Sequence, residues 1–517
     1  MRVAIVGAGM GGLAAAADLA REGCDVSVFE AAAGPGGKMR EVLVDGEAVA
    51  GGPTVFTMRW IFEGLFADAG DSLEARLGLE RADVLARHAW RPGGHQGGHQ
   101  GGRLDLFADV ARSADAIGDF AGAAAAQGYR DFCARAADIH RTLAGSFIAA
   151  QRPSPVGLVR RVGWRRLAAL LRLTPWHTLW QALGTHFEDP RLRQLFGRYA
   201  TYCGASPMLA PATLMLVAHV EQEGVWLVRG GIRRVAEAMQ GLAERQGARC
   251  RYGAAVREIL VERGRAAGVL LASGERVAAD AVVFNGDASA LGAGLLGGAA
   301  RAGAREVPRA ARSLSAVTWC LHARASGFPL LHHNVFFAED YREEFDAIFG
   351  RREICAAPTA YICAQDRGDG MVVPEGRERL LLLVNAPPDG DLGPPDDPTL
   401  EARTHALLRA CGLELEGPAV RTDPSGFHAL FPGTGGALYG RASHGAAATF
   451  ARPGAASRVP GLYLAGGSVH PGPGIPMAAM SGRLAAARLL DEVRVRGALP
   501  RQRDPQRRIT LSPLSRG

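Results

Sequence analysis

The feature that most restricts the fold is a glycine-rich turn near the amino terminus, between a short apolar strand and an alanine-rich helix. Residues 2–6 read Arg-Val-Ala-Ile-Val, a run typical of a buried parallel strand. Three glycines with the spacing of a nucleotide-binding turn follow, namely Gly7, Gly9 and Gly12. A second strand is expected over 25–29 and ends at Glu30. This order of elements predicts a βαβ unit that binds a dinucleotide.

Each of these positions has its own physical task in such a unit. Gly7 permits the tight turn, Gly9 lets a pyrophosphate approach the backbone, and Gly12 allows the helix to pack closely on the strand. The helix predicted over 13–22 presents unpaired N–H groups and its positive dipole end to the phosphates. Glu30 is expected to accept hydrogen bonds from the ribose hydroxyls.

The residues after Glu30 favour FAD over a nicotinamide dinucleotide. A simple NAD domain would continue with another crossover helix, whereas this chain makes a glycine-rich turn over 34–38. Lys38 is the only lysine in the chain, and it stands where FAD-binding proteins of the glutathione-reductase type commonly have arginine. The predicted FAD contacts in this part of the chain are Gly37, Lys38, Gly52, Pro53 and Thr54.

Two later segments are expected to complete the FAD site. Residues 222–300 contain an amphipathic helix over 235–246 and two strand signals, and residues 451–495 contain a glycine turn and a helix beginning near Pro476. Proline is favoured in a first helical turn, so this helix is predicted to direct its amino terminus at the flavin pyrimidine edge. The candidate contacts from both segments are Val256, Gly466, Gly467, Gly474 and Met477.

The middle of the chain carries two apolar segments of different character. Residues 156–183 combine tryptophans and aliphatic residues with arginines and contain no acid, which is typical of a helix lying on an anionic membrane. A packing helix with an arginine-rich solvent face is the alternative. Residues 199–220 carry no formal charge and are long enough to span a bilayer. Pro207 and Pro211 interrupt them, which favours a buried helix of a substrate domain.

Charge, cysteine and histidine content narrow the possible partners. The net charge is +7, but nearly every basic residue is arginine in an alanine- and glycine-rich chain, which fits a GC-rich codon bias, so no nucleic-acid partner is predicted. The eight cysteines form no CxxC pair, and His95 and His99 lie in a glycine-rich repeat, so no metal site is predicted. The first residues read as a strand and not as a secretory signal, which indicates reduced thiols and a cytoplasmic location.

Motifs along nearly the whole chain resemble those of the bacterial carotenoid (phytoene) desaturase family, which are FAD enzymes of the amine-oxidase-like fold. Beside the amino-terminal glycine unit, the resemblance includes the stretches 52–55, 206–212, 230–231, 333–337 and 470–474. Related flavoprotein oxidases usually have an acid near the position of Gly467, whereas carotenoid desaturases have a small residue there. This departure argues against an amine oxidase.

The resemblance implies a fold class and a domain division. The fold class is α/β, with an FAD-binding Rossmann-like domain of the amine-oxidase or glutathione-reductase type assembled from discontinuous segments, and an inserted α+β substrate domain. A chain of 517 residues is also too long for one compact core. The predicted divisions are FAD segments at 1–66, 222–300 and 451–495, a helical substrate and membrane-contact region at 67–221, a mixed substrate domain at 301–450, and a basic tail at 496–517.

Within the family, residues 57–60 and 475–483 resemble the branch of 1-hydroxycarotenoid 3,4-desaturases, also called methoxyneurosporene dehydrogenases. The resemblance implies an FAD-dependent oxidoreductase acting on CH–CH groups of a 1-hydroxyneurosporene or 1-hydroxylycopene type carotenoid, by hydride transfer to flavin with dioxygen or quinone as final acceptor. Peripheral membrane contact would supply the insoluble substrate.

The alternatives are a multistep phytoene desaturase, a carotenoid isomerase, and a non-catalytic prenyl-chain binding protein of the same fold. No catalytic residue is identified. Arg59, Glu221 and His470 are the polar candidates near the flavin.

Overall fold

In the computed structural model, the described residues are 1–91, 102–151, 157, 176–368 and 374–495. Most of the predicted membrane-contact segment, the basic tail and both histidines of the glycine repeat therefore lie outside the described residues. The strands are β1 Arg2–Val6, β2 Asp25–Phe29, β3 Glu41–Val44, β4 Glu47–Ala50, β5 Leu79–Arg81, β6 Val84–Trp90, β7 Arg103–Phe107, β8 Trp226–Val228, β9 Arg249–Arg251, β10 Val256–Glu262, β11 Arg265–Leu271, β12 Arg276–Ala278, β13 Ala281–Phe284, β14 Ser315–Ser326, β15 His333–Phe337, β16 Ala360–Ala364, β17 Glu378–Ala386, β18 Glu414–Glu416, β19 Ala419–Thr422 and β20 Leu462–Leu464.

The α-helices connect these strands and cover the sheets. They are α1 Met10–Arg21, α2 Trp60–Asp68, α3 Val110–Ala121, α4 Ala123–Leu143, α5 Leu179–Leu183, α6 Pro190–Gly197, α7 Leu216–Glu223, α8 Arg233–Arg245, α9 Ala288–Gly292, α10 Tyr341–Phe345, α11 Leu400–Ala410, α12 Pro424–Leu430 and α13 Ile475–Val495. None of the described helices combines the length and the apolar character that a membrane crossing requires.

A five-stranded parallel sheet in the order β20–β13–β1–β2–β9 forms the nucleotide-binding half. Its strands come from three separated parts of the chain, so the predicted α/β fold with a discontinuous Rossmann-like domain is confirmed. Helices α1 and α13 pack closely on each other beside this sheet because glycines stand at their contact. A Cβ on Gly482 would lie 2.0 Å from the carbonyl oxygen of Gly11. The close approach brings the carboxyl-terminal helix against the amino-terminal turn.

A second, mixed sheet in the order β18–β14–β17–β16–β15–β6–β7, with β19 paired to β14, forms the other half. The prediction that 67–221 is mostly helical is wrong for β6 and β7, which join this sheet. The reason is burial: β6 is buried at nearly every position and so lacks the alternation that marks a half-exposed strand. Its Arg87 is tolerated there because it pairs with Asp105 at 2.7 Å.

The uncharged stretch 199–220 does not form the single buried helix that the sequence suggests. It consists of a 3₁₀ segment, Arg198–Cys203, a turn through Pro207, a second 3₁₀ segment, Ala212–Met215, and most of α7. Gly204 ends the first segment with a φ of +66°, a conformation that favours glycine. The result is a bent wall of short elements beside the second sheet.

Candidate active site

The amino-terminal glycine turn is shaped for a ligand that approaches the backbone closely. A Cβ on Gly12 would lie 2.1 Å from the carbonyl oxygen of Gly7, and Gly7 itself has a φ of +99°. Helix α1 begins at Met10, three residues earlier than predicted, and its N-cap residue Gly9 offers no side-chain acceptor. The first N–H groups of the helix therefore remain for an anion, as a pyrophosphate requires.

Glu30 lies at the carboxyl end of β2, beside the same turn. Its carboxylate accepts hydrogen bonds from the backbone N–H groups of Ala8 (2.7 Å) and Ala32 (2.9 Å). Each carboxylate oxygen keeps lone-pair capacity for a ribose hydroxyl. The backbone N–H of Ala254 donates to the Glu30 carbonyl (2.8 Å). Strand β10 begins two residues later, at Val256. The hydrogen bond from Ala254 holds the chain that leads into β10 beside Glu30.

The second glycine turn lies against the first. Gly36 forms a parallel bridge with Gly9, and a Cβ on Gly37 would lie 3.3 Å from the Cα of Gly9. A Cβ on Gly52 would lie 1.8 Å from the Lys38 carbonyl oxygen. The Lys38 amine donates to the Leu438 carbonyl, and burial lowers its pKa. Lys38 thus ties this turn to the second half of the molecule.

Asn285 is a residue of this site that the sequence analysis missed. Its Nδ2 donates to the Gly7 carbonyl (3.1 Å), and its side chain fills the space that a Cβ on Gly9 or Gly11 would need. The available signal was its position directly after the buried strand β13, because ligands bind at the carboxyl ends of parallel strands. A Cβ on Gly466 would lie 3.1 Å from Asn285 Oδ1, so all three chain segments meet here.

A cavity of about 750 Å³ lies beside these turns, between the two halves of the molecule. Its wall is mainly apolar and is formed by the bent segment with α7, by residues of the second sheet and by the loop before α13. The predicted contacts on this wall are Gly52, Pro53, Thr54, Gly474 and Met477. The other predicted contacts are not part of the cavity wall: Gly7, Gly9, Gly12, Glu30, Gly37, Lys38, Val256, Gly466 and Gly467.

The three polar candidates have different surroundings. Arg59 is not part of the cavity wall, and its guanidinium pairs with Glu63 (2.7 Å) and Glu74. His470 is buried behind the wall, where its Nε2 lies 3.0 Å from the Phe147 carbonyl. Burial lowers the pKa of His470 to about 4, so it is neutral near pH 7. Of the three, Glu221 lines the cavity.

Glu221 belongs to a buried polar cluster in an otherwise apolar part of the wall. Its carboxylate accepts hydrogen bonds from the hydroxyls of Tyr199 (2.9 Å) and Tyr202 (2.7 Å). Arg198 Nη1 donates to the Tyr202 hydroxyl at 2.8 Å. Burial is the largest cause that raises the pKa of both tyrosines, so both phenols stay protonated donors. We call these four residues the Arg198–Glu221 cluster; sequence spacing gave no sign of it.

The loop before α13 forms the part of the wall next to the glycine turns. Gly472 and Gly474 have φ values of +139° and +108°, and α13 begins at Ile475. The amino terminus of this helix therefore lies at the cavity, whereas its carboxyl terminus lies twenty residues further on. Arg452, a second residue that the sequence analysis missed, donates to the Gly467 carbonyl (3.3 Å) and brings a positive charge to the same loop.

Two groups of potential metal ligands come together that the sequence did not reveal. His332, His333 and Cys363 form one group, and His140, His219 and Glu223 form the other. In the first group, His333 Nδ1 is 2.7 Å from the Tyr361 hydroxyl, so this nitrogen already has a protein partner. In the second, the carboxylate interacts with His219 at 3.5 Å.

These observations fit FAD as the cofactor. Glycines stand where a Cβ would collide with backbone, an uncapped helix terminus faces the turn, and a carboxylate ends β2. The mainly apolar cavity begins where this nucleotide site ends. A dinucleotide laid along the turns would therefore have one end at the cavity, and the nucleotide end would be held by the first sheet.

Comparison with known proteins agrees with this site. The family of flavin-containing amine oxidoreductases matches residues 10–490, and the chain belongs to it. Solved structures with this fold include an oxidoreductase from Methanosarcina mazei (17% identity, 95% and 100% of the two chains, TM-score 0.58) and a putrescine oxidase variant (15% identity, 95% and 99%, TM-score 0.58). The chain therefore has the fold of a flavin oxidoreductase, and its cofactor is FAD.

Relatives within this family are more specific. Hydroxyneurosporene desaturase from Rubrivivax gelatinosus is 54% identical over 95% of this chain and 93% of its own length. Hydroxyneurosporene desaturase from Cereibacter sphaeroides is 44% identical over 95% and 98%. The zeta-carotene-forming phytoene desaturase from Myxococcus xanthus is 32% identical over 96% and 95%. The predicted carotenoid desaturase family is confirmed, and the chain is an FAD-dependent oxidoreductase acting on a carotenoid.

We expect Gly9→Val to lower FAD occupancy. Gly9 has a φ of −74°, which valine adopts freely, so the turn can form. The new Cβ would lie 2.9 Å from Asn285 Nδ2, so the Asn285 side chain must shift, and its hydrogen bond to the Gly7 carbonyl in the predicted pyrophosphate turn is disturbed. Loss of one charge-assisted hydrogen bond, about 1.5–3 kcal/mol, weakens FAD binding by roughly 10- to 100-fold. The ratio of flavin to protein absorbance measures this loss.

The matched control for Gly9→Val is Gly298→Val. A Cβ on Gly298 would meet no atom within 4 Å, and its φ lies outside the range that disfavours a side chain. This variant should bind FAD like the unmodified protein. Full flavin occupancy in Gly9→Val would show that the pyrophosphate lies elsewhere.

Proposed function

We propose that this protein introduces the C-3,4 double bond into a 1-hydroxycarotenoid of the 1-hydroxyneurosporene or 1-hydroxylycopene type. The observation that carries the proposal is the similarity, at 54% and 44% identity over nearly the whole chain, to two proteins named hydroxyneurosporene desaturase. The phytoene desaturase from Myxococcus xanthus is less similar, at 32%. The residues of the cavity agree with such a substrate, because its wall is mainly apolar but contains one polar cluster.

The chain's own residues supply orientation and exclusion of water. When bound, FAD supplies the two-electron acceptor that no amino-acid side chain can provide. The apolar wall, with Leu214, Val217 and Val220 among its residues, holds a polyene by burial of its surface. A conjugated polyene delocalises positive charge that develops beside it, so the proton lost from the neighbouring carbon needs no strong base.

The direct test compares substrates on the purified holoenzyme. 1-Hydroxyneurosporene, neurosporene and phytoene are supplied separately, the products are separated by chromatography, and their molecular masses are determined by mass spectrometry. The hydroxylated carotenoid should lose two hydrogens and absorb at longer wavelength, because a 3,4 double bond extends the polyene. Conversion of phytoene through several steps would support the multistep desaturase instead, and a change of geometry without loss of hydrogen would support an isomerase.

The same experiment also tests whether the protein is an enzyme at all. A non-catalytic prenyl-chain binding protein would bind carotenoid without converting it and would need no flavin. The similarity to desaturases favours the enzyme.

Turnover with dioxygen alone, compared with turnover under argon with an added quinone, identifies the final electron acceptor.

Peripheral membrane contact through 156–183 is a further part of the proposal. Replacing Arg160, Arg161, Arg165 and Arg166 by glutamine should weaken flotation with anionic liposomes, by about 1 kcal/mol for each charge near the surface. The matched control replaces four exposed arginines elsewhere with glutamine, namely Arg141, Arg234, Arg249 and Arg276. Protein that stays below the liposomes at low salt would indicate a packing helix in this segment.

A further inference from the structure

We propose that the Arg198–Glu221 cluster binds the tertiary hydroxyl of the substrate and so selects hydroxylated carotenoids over hydrocarbon ones. This inference rests on the proposed function, since it assigns the part of the cavity that recognises the C-1 hydroxyl.

The cluster combines burial with access to the cavity. Arg198 and Glu221 are 7% and 5% exposed, and both line the cavity together with Tyr202. Tyr199 is buried, does not line the cavity, and donates a hydrogen bond from its hydroxyl to the Glu221 carboxylate. Two elements supply the cluster: the 3₁₀ segment Arg198–Cys203 and the helix α7. The position of the carboxylate is fixed by two phenols on one segment, so the cluster is pre-organised.

Such a cluster is costly for an enzyme that binds only hydrocarbon. A buried guanidinium and a buried carboxylate lose their hydration, and their mutual attraction repays this loss only with good geometry and satisfied hydrogen bonds. In this cluster, Arg198 reaches Glu221 through the Tyr202 hydroxyl. A polyene without a polar group adds no hydrogen bond and removes any water that served the cluster. A substrate with a hydroxyl supplies a partner instead.

The hydrogen-bonding capacity of the cluster matches an alcohol. A hydroxyl offers one donor and two acceptor lone pairs. Each oxygen of the Glu221 carboxylate accepts one tyrosine hydrogen bond and can accept another. The Arg198 guanidinium has five N–H donors, of which Nη1 serves the Tyr202 hydroxyl at 2.8 Å, and the Arg198 side chain lines the cavity. The carboxylate can therefore accept from the alcohol while the guanidinium side donates to it.

The position of the cluster also suits a reaction at C-3 and C-4. The hydroxyl-bearing C-1 is two bonds from C-3 and three from C-4, so the reacting carbons lie within about 5 Å of it at roughly 1.5 Å for each bond. Val220, the neighbour of Glu221, belongs to the same core cluster as Met58 and Ile475. Met58 and Ile475 line the cavity at the predicted flavin end. A hydroxyl held by the cluster therefore keeps the reacting bond inside the cavity that Glu221, Met58 and Ile475 all line.

The experiment measures the preference for 1-hydroxyneurosporene over neurosporene as a ratio of kcat/KM values. A site built to hydrogen-bond a hydroxyl rejects an analogue without it strongly, so the unmodified holoenzyme should prefer the alcohol by at least about 100-fold. Tyr202→Phe removes one hydroxyl with little change of shape, and the preference should fall by roughly tenfold or more. Glu221→Gln should reduce it further. The loss should lie in KM for the alcohol and should exceed any change in kcat/KM for neurosporene.

Flavin content and a matched variant distinguish recognition from a structural role. Tyr129→Phe removes another buried phenol, outside the cavity wall, and should leave the preference unchanged. Flavin occupancy should be the same in all variants. If Tyr202→Phe and Glu221→Gln lose activity equally on both substrates, so that the ratio is unchanged, the cluster does not recognise the hydroxyl and the inference is wrong.

Failure of the inference and failure of the proposed function give different results. If the unmodified enzyme is selective and the variants keep its selectivity, only the role of the cluster is overturned. If the unmodified enzyme shows no preference for the hydroxylated carotenoid, the proposed function itself is overturned.

Discussion

A Gly474→Val variant should purify with its FAD and lose desaturase activity by at least roughly 100-fold. Gly474 has a φ of +108°, a conformation that valine adopts only with strain of about 1–3 kcal/mol. The nearest protein atom to a Cβ there is Pro476 Cδ at 3.9 Å, so the valine methyl groups would enter the cavity that Gly474 lines. The nucleotide end of the site is formed by other residues, so FAD should remain bound.

The expected size of this effect comes from the helix that follows. The first N–H groups of α13 have no acceptor within the helix, and they lie at the cavity wall next to Met477. An N–H group aimed at the place where negative charge develops typically contributes 10²–10³ in kcat, about 2.7–4 kcal/mol. The sequence predicts that this helix terminus faces the flavin pyrimidine edge, and on that prediction a displaced loop should remove the contribution.

Gly264→Val is the matched control for Gly474→Val. Gly264 has a φ of +75° in the turn between β10 and β11, and a Cβ there meets no atom within 4 Å. The control therefore carries similar backbone strain without entering the cavity, and it should keep full activity. A Gly474→Val enzyme with normal kcat would show that this loop does not touch the reacting groups. A colourless Gly474→Val protein would place Gly474 in FAD binding itself.

The nucleotide-binding half of the molecule could be predicted because its determinants are local. Gly7 and Gly12 belong to one turn, and Glu30 comes directly after the next strand. A short stretch of sequence therefore contains all the residues that predict the dinucleotide site. The three segments assemble into one sheet as expected. Helix α1 begins at Met10 and not at residue 13, because the carbonyl of Gly9 already accepts the first helical hydrogen bond, from the N–H of Leu13 (3.0 Å).

The substrate half could not be predicted to the same degree, because its determinants are distant in the chain. Strand β6 lacks an alternating pattern, since both its faces are buried. The Arg198–Glu221 cluster joins residues about twenty positions apart on two short elements, so neither periodicity nor spacing marks it. Arg59 follows the motif that lines the cavity, but ion pairs with Glu63 and Glu74 direct it away.

We expect Arg483→Leu to destabilise the protein by about 3–5 kcal/mol, the usual cost of removing one partner from a buried ion pair. Arg483 lies on α13 and is fully buried. Its Nε donates to Asp18 (3.0 Å) on α1, and its Nη2 donates to Asp68 (2.5 Å) on α2. Leucine would leave both carboxylates buried without this partner. Denaturant titration followed by circular dichroism measures the loss of unfolding free energy.

The exposed arginine one turn further along α13 provides the control. Arg488 is 43% exposed and pairs with Glu492 at 2.8 Å across one helical turn. Such surface pairs contribute about 0.3–0.5 kcal/mol, so Arg488→Leu should change stability little. Equal, small effects of both substitutions would mean that the three helices do not depend on the buried ion pairs.

The pH dependence of Arg483→Leu gives a second, independent measure. Burial already raises the pKa of Asp18 above its usual value, and Arg483 opposes this shift. Without the arginine, the folded-state pKa rises further, so the ionised carboxyl costs stability at neutral pH. This cost disappears as the pH falls through the folded pKa towards the unfolded value near 4. The difference in stability between the variant and the unmodified protein should therefore be largest near pH 7 and shrink towards pH 5. A difference independent of pH would indicate that the substitution disturbs the packing of α13 on α1, and not that it leaves a carboxylate without its partner.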